Sequence, residues 1–132
     1  MPRLLFVDSD QKMCEVMQQY LSWHGFEVVS LNSGIEAVSL LAKDNFDLLL
    51  YNIVMENDGF QLCRKIRNSV DPKLSQAGIL IFASEPLELD DYIALRQLKL
   101  YFINKYANIG EWIKKISLIL RKKACLPAGR GN

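Results

Sequence analysis

A doubly wound α/β domain, one parallel five-stranded sheet flanked by five helices, is the fold this sequence predicts. Three observations carry it. Five short apolar runs recur along the chain, each is followed by a stretch with helical spacing or a helix-capping signal, and the two alternate strictly from start to finish. Such alternation requires right-handed crossovers and therefore a parallel sheet covered on both faces. A length of 132 residues with 50% hydrophobic content suits one domain with a real core.

Residues 4–7 are an apolar run stopped by Asp8-Ser9-Asp10, a first buried strand with its loop. From 11 to 23 the residues Met13, Val16, Met17, Tyr20 and Leu21 recur at intervals of three and four, which predicts a helix with these on its inner face. Asp10 is placed as its N-cap and Gly25 as its terminator. Residues 27–31 form a second, less apolar strand. Ser33 and Glu36 have the spacing of a capping box, so a second helix should run to about 43. Residues 47–52, Asp-Leu-Leu-Leu-Tyr-Asn, read as a strand buried on both faces, with Asn52 at its carboxyl end. A third helix is expected over 59–67, broken by Asp71-Pro72. Residues 79–83 are the fourth strand. Ser84 and Pro86 are read as the start of a fourth helix reaching about 99. Residues 101–103 make the fifth strand, and the last helix begins at Asn108 with Glu111 three residues on.

Composition excludes several functions. Sixteen basic residues against fifteen acidic ones leave a net charge of +1, with no global field to recruit nucleic acid or an anionic membrane. Lys114, Lys115, Arg121, Lys122, Lys123 and Arg130 follow one another with no acid after Glu111, which reads as a solvated helix end rather than a nucleic-acid surface. Cys14, Cys63 and Cys125 have neither disulfide nor metal-ligand spacing, and the first two are placed as helix packing residues of a reduced, cytoplasmic protein. Met1-Pro2-Arg3 leads into too few apolar residues for a signal peptide, and no run approaches membrane-spanning length. Residues 124–132 are expected to form a disordered tail after a domain of residues 1–123. His24, beside Gly25, is read as a solvated residue of a helix end.

In parallel sheets the functional groups gather at the carboxyl ends of the strands. Here those are Asp8, Ser9 and Asp10, then Asn52, then Ala83 and Ser84, and finally Lys105. Together with Leu5-Phe6-Val7-Asp8-Ser9-Asp10, His24-Gly25-Phe26-Glu27-Val28, Gly34-Ile35-Glu36-Ala37, Phe46 to Asn52, Asp58-Gly59-Phe60 and Ile103-Asn104-Lys105, the set resembles the receiver domain of two-component response regulators over residues 3–123. The resemblance implies a CheY-like, flavodoxin-like sheet of order 2-1-3-4-5. It also implies a phosphoacceptor aspartate at the end of the third strand, and a divalent metal held by acids after the first.

Several positions depart from that pattern. Asn52 stands where the acceptor aspartate belongs, and an amide is a poor nucleophile. Ser9 replaces the second metal-binding acid, and Ala83 replaces the hydroxyl residue that meets the phosphoryl group. Tyr106 replaces the proline after Lys105, and the loop from Asn52 to Gly59 is one residue short. Asn52 is read as a strand-end residue bonded to Lys105 or to backbone, Lys105 as paired with Asp8, and Asp10 as an N-cap with a residual metal role beside Asp8 as its alternative. The expectation is a degenerate phosphoacceptor site, no cofactor beyond weak residual Mg²⁺, and no enzyme activity. Signalling would then pass through protein contact with a histidine kinase, another regulator or an output protein. Homodimerisation through the fourth helix, fifth strand and fifth helix is implied by the resemblance, with Tyr92, Tyr101, Phe102 and Tyr106 as the candidate surface. For Phe102, core and surface readings are even. A working receiver that uses Glu56 or Asp58 as acceptor is one alternative, and a flavin-binding protein of the same topology is another, although Asp8-Ser9-Asp10 would repel a phosphate.

Overall fold

The computed structural model describes residues 1–55 and 59–125, with side chains through Lys123. Five parallel strands, β1 (Arg3–Val7), β2 (Glu27–Leu31), β3 (Leu48–Asn52), β4 (Ile79–Ala83) and β5 (Tyr101–Asn104), form one sheet of order β2-β1-β3-β4-β5. Between and after them lie α1 (Gln11–Trp23), α2 (Gly34–Lys43), α3 (Gly59–Arg67), α4 (Pro72–Ser75), α5 (Leu89–Leu98) and α6 (Ile109–Cys125). The chain crosses from β2 back over β1 to β3, so the direction of winding reverses between β1 and β3, and the crevice of a doubly wound sheet opens above that point.

Strand alternation builds two cores. Leu4, Phe6, Leu48, Leu50, Leu80 and Phe82 face α1 and α6, whose Met17, Leu21, Trp112 and Ile116 cover them. Leu5, Val7, Leu49, Tyr51, Ile79 and Ile81 face the other way, under α2, α3, α4 and α5. Trp112 closes the first core: it is 1% exposed and its ring lies 5.2 Å from Phe82 and 6.1 Å from Phe6. Cys14 and Cys63 pack in these interiors, as read.

The capping signals act as the sequence implies. The Asp10 carboxylate accepts from the N–H groups of Lys12 and Met13, and the Ser33 hydroxyl accepts from Glu36 N–H. Gly25 ends α1 with φ +91°, a backbone state that a side chain disfavours. Asn108 and Glu111 form a reciprocal box at the start of α6.

Three expectations are corrected. The helices number six among the described residues, because Asp71-Pro72 begins a short helix as well as ending the run before it. Pro72 sits in its first turn, and Asp71 Oδ1 accepts from Lys73 N–H at 3.0 Å. The helix expected to start at Ser84 starts at Leu89, since Pro86 disfavours helical geometry at Glu85. There Asp91 Oδ2 accepts the Glu88 N–H at 2.8 Å. Val16 and Tyr20 do not face the core. They are exposed, and Tyr20 meets Trp23 edge to face at 5.3 Å, with Trp23 67% exposed.

Arg67 ties the lower layer together. Its guanidinium donates to the carbonyls of Leu98 (2.7 Å), Ala77 (2.6 Å), Ser75 (3.2 Å) and Lys99 (3.1 Å), so the end of α3 clamps both the α4–β4 turn and the α5–β5 turn. Lys99 holds a left-handed φ of 55° within that clamp. Arg67→Ala is expected to destabilise the domain by about 2 kcal/mol, given the strength of hydrogen bonds to charged donors, and to lower the melting midpoint by roughly 5–10 °C. Arg67→Lys should recover only part of this, because one ammonium cannot reach all four carbonyls. Thermal melts of the two variants check it.

Candidate functional site

The carboxyl ends of β1, β3, β4 and β5 bring Asp8, Asn52, Ala83 and Lys105 to one crevice. Asp8 is 1% exposed and Asn52 4%, and they are the buried polar residues among those described. The neighbours of Asp8 fix it on every side. Its N–H donates to Leu31 O at 3.1 Å, while its own carbonyl accepts from Asn32 Nδ2 at 2.8 Å and from the Cys14 thiol at 3.3 Å.

The side chains meet directly. Asn52 Nδ2 donates to Asp8 Oδ1 at 3.0 Å, and Asn52 Oδ1 accepts the Val54 N–H at 3.1 Å. Lys105 Nζ lies 3.4 Å from Asp8 Oδ2. Sequence reasoning therefore places the Lys105–Asp8 pair and the backbone bond of Asn52 correctly, but the amide of Asn52 binds Asp8 and not Lys105. The reason is orientation: β1 and β3 are neighbours, whereas β5 lies two strands from β3. Lys105 reaches the centre because its N–H is bonded to Ala83 O at 2.8 Å, which aims the residue over the end of β4.

A divalent metal of the kind the resemblance implies does not fit this donor set. Asp8 Oδ1 is occupied by Asn52 and by Asp10 N–H (3.1 Å), and Asp8 Oδ2, which makes no hydrogen bond among the described residues, faces a cation. Asp10 Oδ1 accepts both α1 cap bonds, and Ser9 is exposed. Hard cations of this class use one or two carboxylates with further oxygens, and one carboxylate against an ammonium does not supply them. Among the described residues no three His, Cys, Asp or Glu side chains gather for a metal.

Ala83 is buried and offers no donor to the crevice. Beside it a cavity of about 560 Å³ has a floor of Ile53, Gly59 and Pro86 and a rim of Glu85, Glu88 and Asp91. Gly59 is required there, because an added Cβ would collide with the carbonyl of Ile53. Glu56 and Asp58 lie outside the described residues.

The surface candidates do not form one patch. Tyr92 and Tyr106 are exposed, on α5 and after β5 respectively. Tyr101 and Phe102 are half-buried on opposite faces of β5: Tyr101 packs against the first core under Lys122 Nζ (5.8 Å), and Phe102 against the second core, as do Leu95 and Leu98 of α5. His24 is exposed at the end of α1 with Nδ1 2.9 Å from Tyr20 O. Two residues of the site escape the sequence reading. Asn32 follows β2 on the crevice side and was open to the same strand-end rule. Cys14 reads as packing alone, yet its thiol bonds Asp8, and burial and the nearby Asp8 charge hold that thiol above its usual range.

A family model described as response regulator receiver domain matches residues 4–117. The chain is 29% identical over 120 residues to the transcriptional regulatory protein GltR of Pseudomonas aeruginosa, covering 90% of this chain and 49% of that one. It is 36% identical over 70 residues to the response regulator MprA of Mycobacterium leprae, covering 52% and 31%. It thus spans half or less of these relatives. A CheY-like receiver domain structure from Methanospirillum hungatei superposes with a TM-score of 0.81 at 21% identity, over 94% of this chain and 97% of that one.

Asn52→Asp would set a second carboxylate against Asp8. Two such groups in one buried site raise the proton affinity of one of them. The folded state then keeps a proton that the unfolded chain releases, so stability falls as pH rises through the raised value and recovers below it. The variant is expected to melt higher near pH 5 than near pH 7.5, and to lie below the parent at the higher pH. Melts that match the parent at both would refute the charge argument.

Proposed function

This chain belongs to the response regulator receiver domain family, and we propose that it is a receiver that has lost phosphoacceptor chemistry and signals by protein contact in the cytoplasm. The observation that carries the reading is the closed set Asp8–Asn52–Lys105. An amide stands at the acceptor position with its nitrogen on Asp8 Oδ1, and Lys105 already neutralises the buried Asp8 carboxylate. The Asn52 amide is hydrogen-bonded within the protein, Lys105 is ion-paired to Asp8, and Asn52 lacks a nucleophilic oxygen charge. Asp8, Ser9, Asn52, Ala83 and Lys105 are on this reading the remnant of a phosphoacceptor site.

Signal transfer then falls to surface. The face made by α5, β5 and α6 divides by charge. The α5 side presents Glu85, Glu88 and Asp90 beside exposed Leu89, Tyr92 and Ile93, whereas α6 presents Lys114, Lys115, Arg121 and Lys122 around exposed Leu118. Between β5 and α6 a groove of about 430 Å³ is lined by Phe102, Ala107, Glu111, Lys114, Lys115 and Leu118. An acidic flank and a basic flank on one face can satisfy each other across a two-fold axis, which supports pairing with a second copy or with the same face of another regulator.

Incubation with a small phosphodonor and magnesium, followed by intact mass, is expected to leave the mass unchanged. A gain of one phosphoryl group, traced by peptide mapping to Glu56 or Asp58, would instead establish a working receiver with another acceptor. A purified protein without visible colour closes the flavin alternative. For the surface, the double charge reversal Lys114→Glu with Lys115→Glu should weaken self-association about tenfold or more, as measured by sedimentation, without changing the melting midpoint. Adding Asp90→Lys should restore part of it. Association unchanged by either set would refute this face.

A further inference from the structure

We propose that the end of the domain opposite the crevice binds a small tetrahedral oxyanion, phosphate or sulfate, between Lys73 and Lys123. Lys123 leaves the last turns of α6, crosses the start of the sheet and donates to the carbonyl of Asp47 at 2.6 Å. It packs so closely over Gly78 that a Cβ there would lie 3.3 Å from its Nζ. Arg67 stands nearby, with every bond described for it made to a carbonyl. Neither cation has a carboxylate within ion-pair distance among the described residues, whereas Arg3 reaches Glu27 and Asp44, and Lys105 reaches Asp8.

Half-buried cations without a counter-ion are costly, and two in mutual repulsion more so. Burial, with Arg67 repelling it, holds the Lys123 ammonium below its usual range despite the attraction of Asp47. An anion set beside Lys123 would relieve both effects. Lys123 spends one of its three N–H groups on Asp47 and keeps two.

The space exists. A cavity of about 160 Å³ is walled by Leu41, Phe46 and Pro72 and edged by Lys73, Gln76 and Lys123. It falls below the range of about 300–1,000 Å³ typical of organic ligands, which selects a small ion over a nucleotide. Asp44 also borders it, with its Oδ1 held by Arg3 at 2.9 Å and by the Asn45 N–H at 2.8 Å, which offsets part of its charge.

The test is titration of the labelled protein with sodium phosphate, and separately with sodium chloride at matched ionic strength, following the amides of Asp47, Gln76 and Gly78. Saturable shifts with phosphate alone are expected. Binding should weaken about tenfold in Lys123→Met, as loss of a charge-assisted bond implies, and several-fold in Lys73→Gln. Shifts that grow alike with both salts and never saturate, or phosphate binding unchanged in the variants, overturn the proposal. Should Lys123→Met fail to fold, the exposed Lys73→Gln decides, and undiminished affinity there overturns it.

Discussion

One buried carboxylate sets the terms for the top of this domain. Asp8 follows β1 at 1% exposure, and an ionised group so far from water must be answered by partners it can keep. An amide from β3 and an ammonium from beyond β5 supply the answer, so three strands that could slide or twist against one another are tied at a single side chain. Such ties are worth less as net stabilisation than as a definition of geometry, because desolvation offsets much of the attraction. Removing one partner is another matter, since the remaining charge is stranded.

The same arrangement explains why the crevice is filled from within. In a receiver whose acceptor is an acid, two or three negative groups repel one another and require a cation. Asn52 removes one of those charges, and Lys105 balances what is left. On the reading proposed above, the crevice needs no added cation, and Ser9 and Ala83 would act in the same direction by withdrawing an acid and a hydroxyl. Helix α5, which borders the crevice side, has Ala94 as its one buried residue. The Asp91–Glu88 bond caps α5 at its start, and the Arg67 clamp holds its end to α3.

Most of the sheet was legible because its strands are apolar on both faces and bounded by polar residues, a pattern with few competing interpretations. Strand β4 agrees with its predicted bounds residue for residue, and the caps Asp10, Ser33 and Asn108 each lie where their spacing put them. Proline was the source of two misreadings. At Pro72 a breaker is also a first-turn residue, and at Pro86 the restraint falls on the residue before it. The inner face of α1 was drawn too wide. Met17 and Leu21 satisfy the core, and the same helical spacing continues into Val16 and Tyr20, which no neighbouring element covers. In the crevice, residue identity and position were readable, but the partner of each polar atom was not. Which of two neighbours an amide faces depends on strand order in space, and that enters only with the fold.

The two tryptophans occupy opposite environments, and this makes the chain its own optical reporter. Trp112 is sealed between Phe6 and Phe82 beneath the sheet, while Trp23 stands in solvent against Tyr20 at the end of α1. A dissolved quencher reaches the second and not the first. Emission from this protein therefore divides into a red, quenchable part that records whatever comes to cover α1, and a blue, shielded part that records the integrity of the core. Events at the surface and events in the interior are thus separable by colour within a single unlabelled molecule.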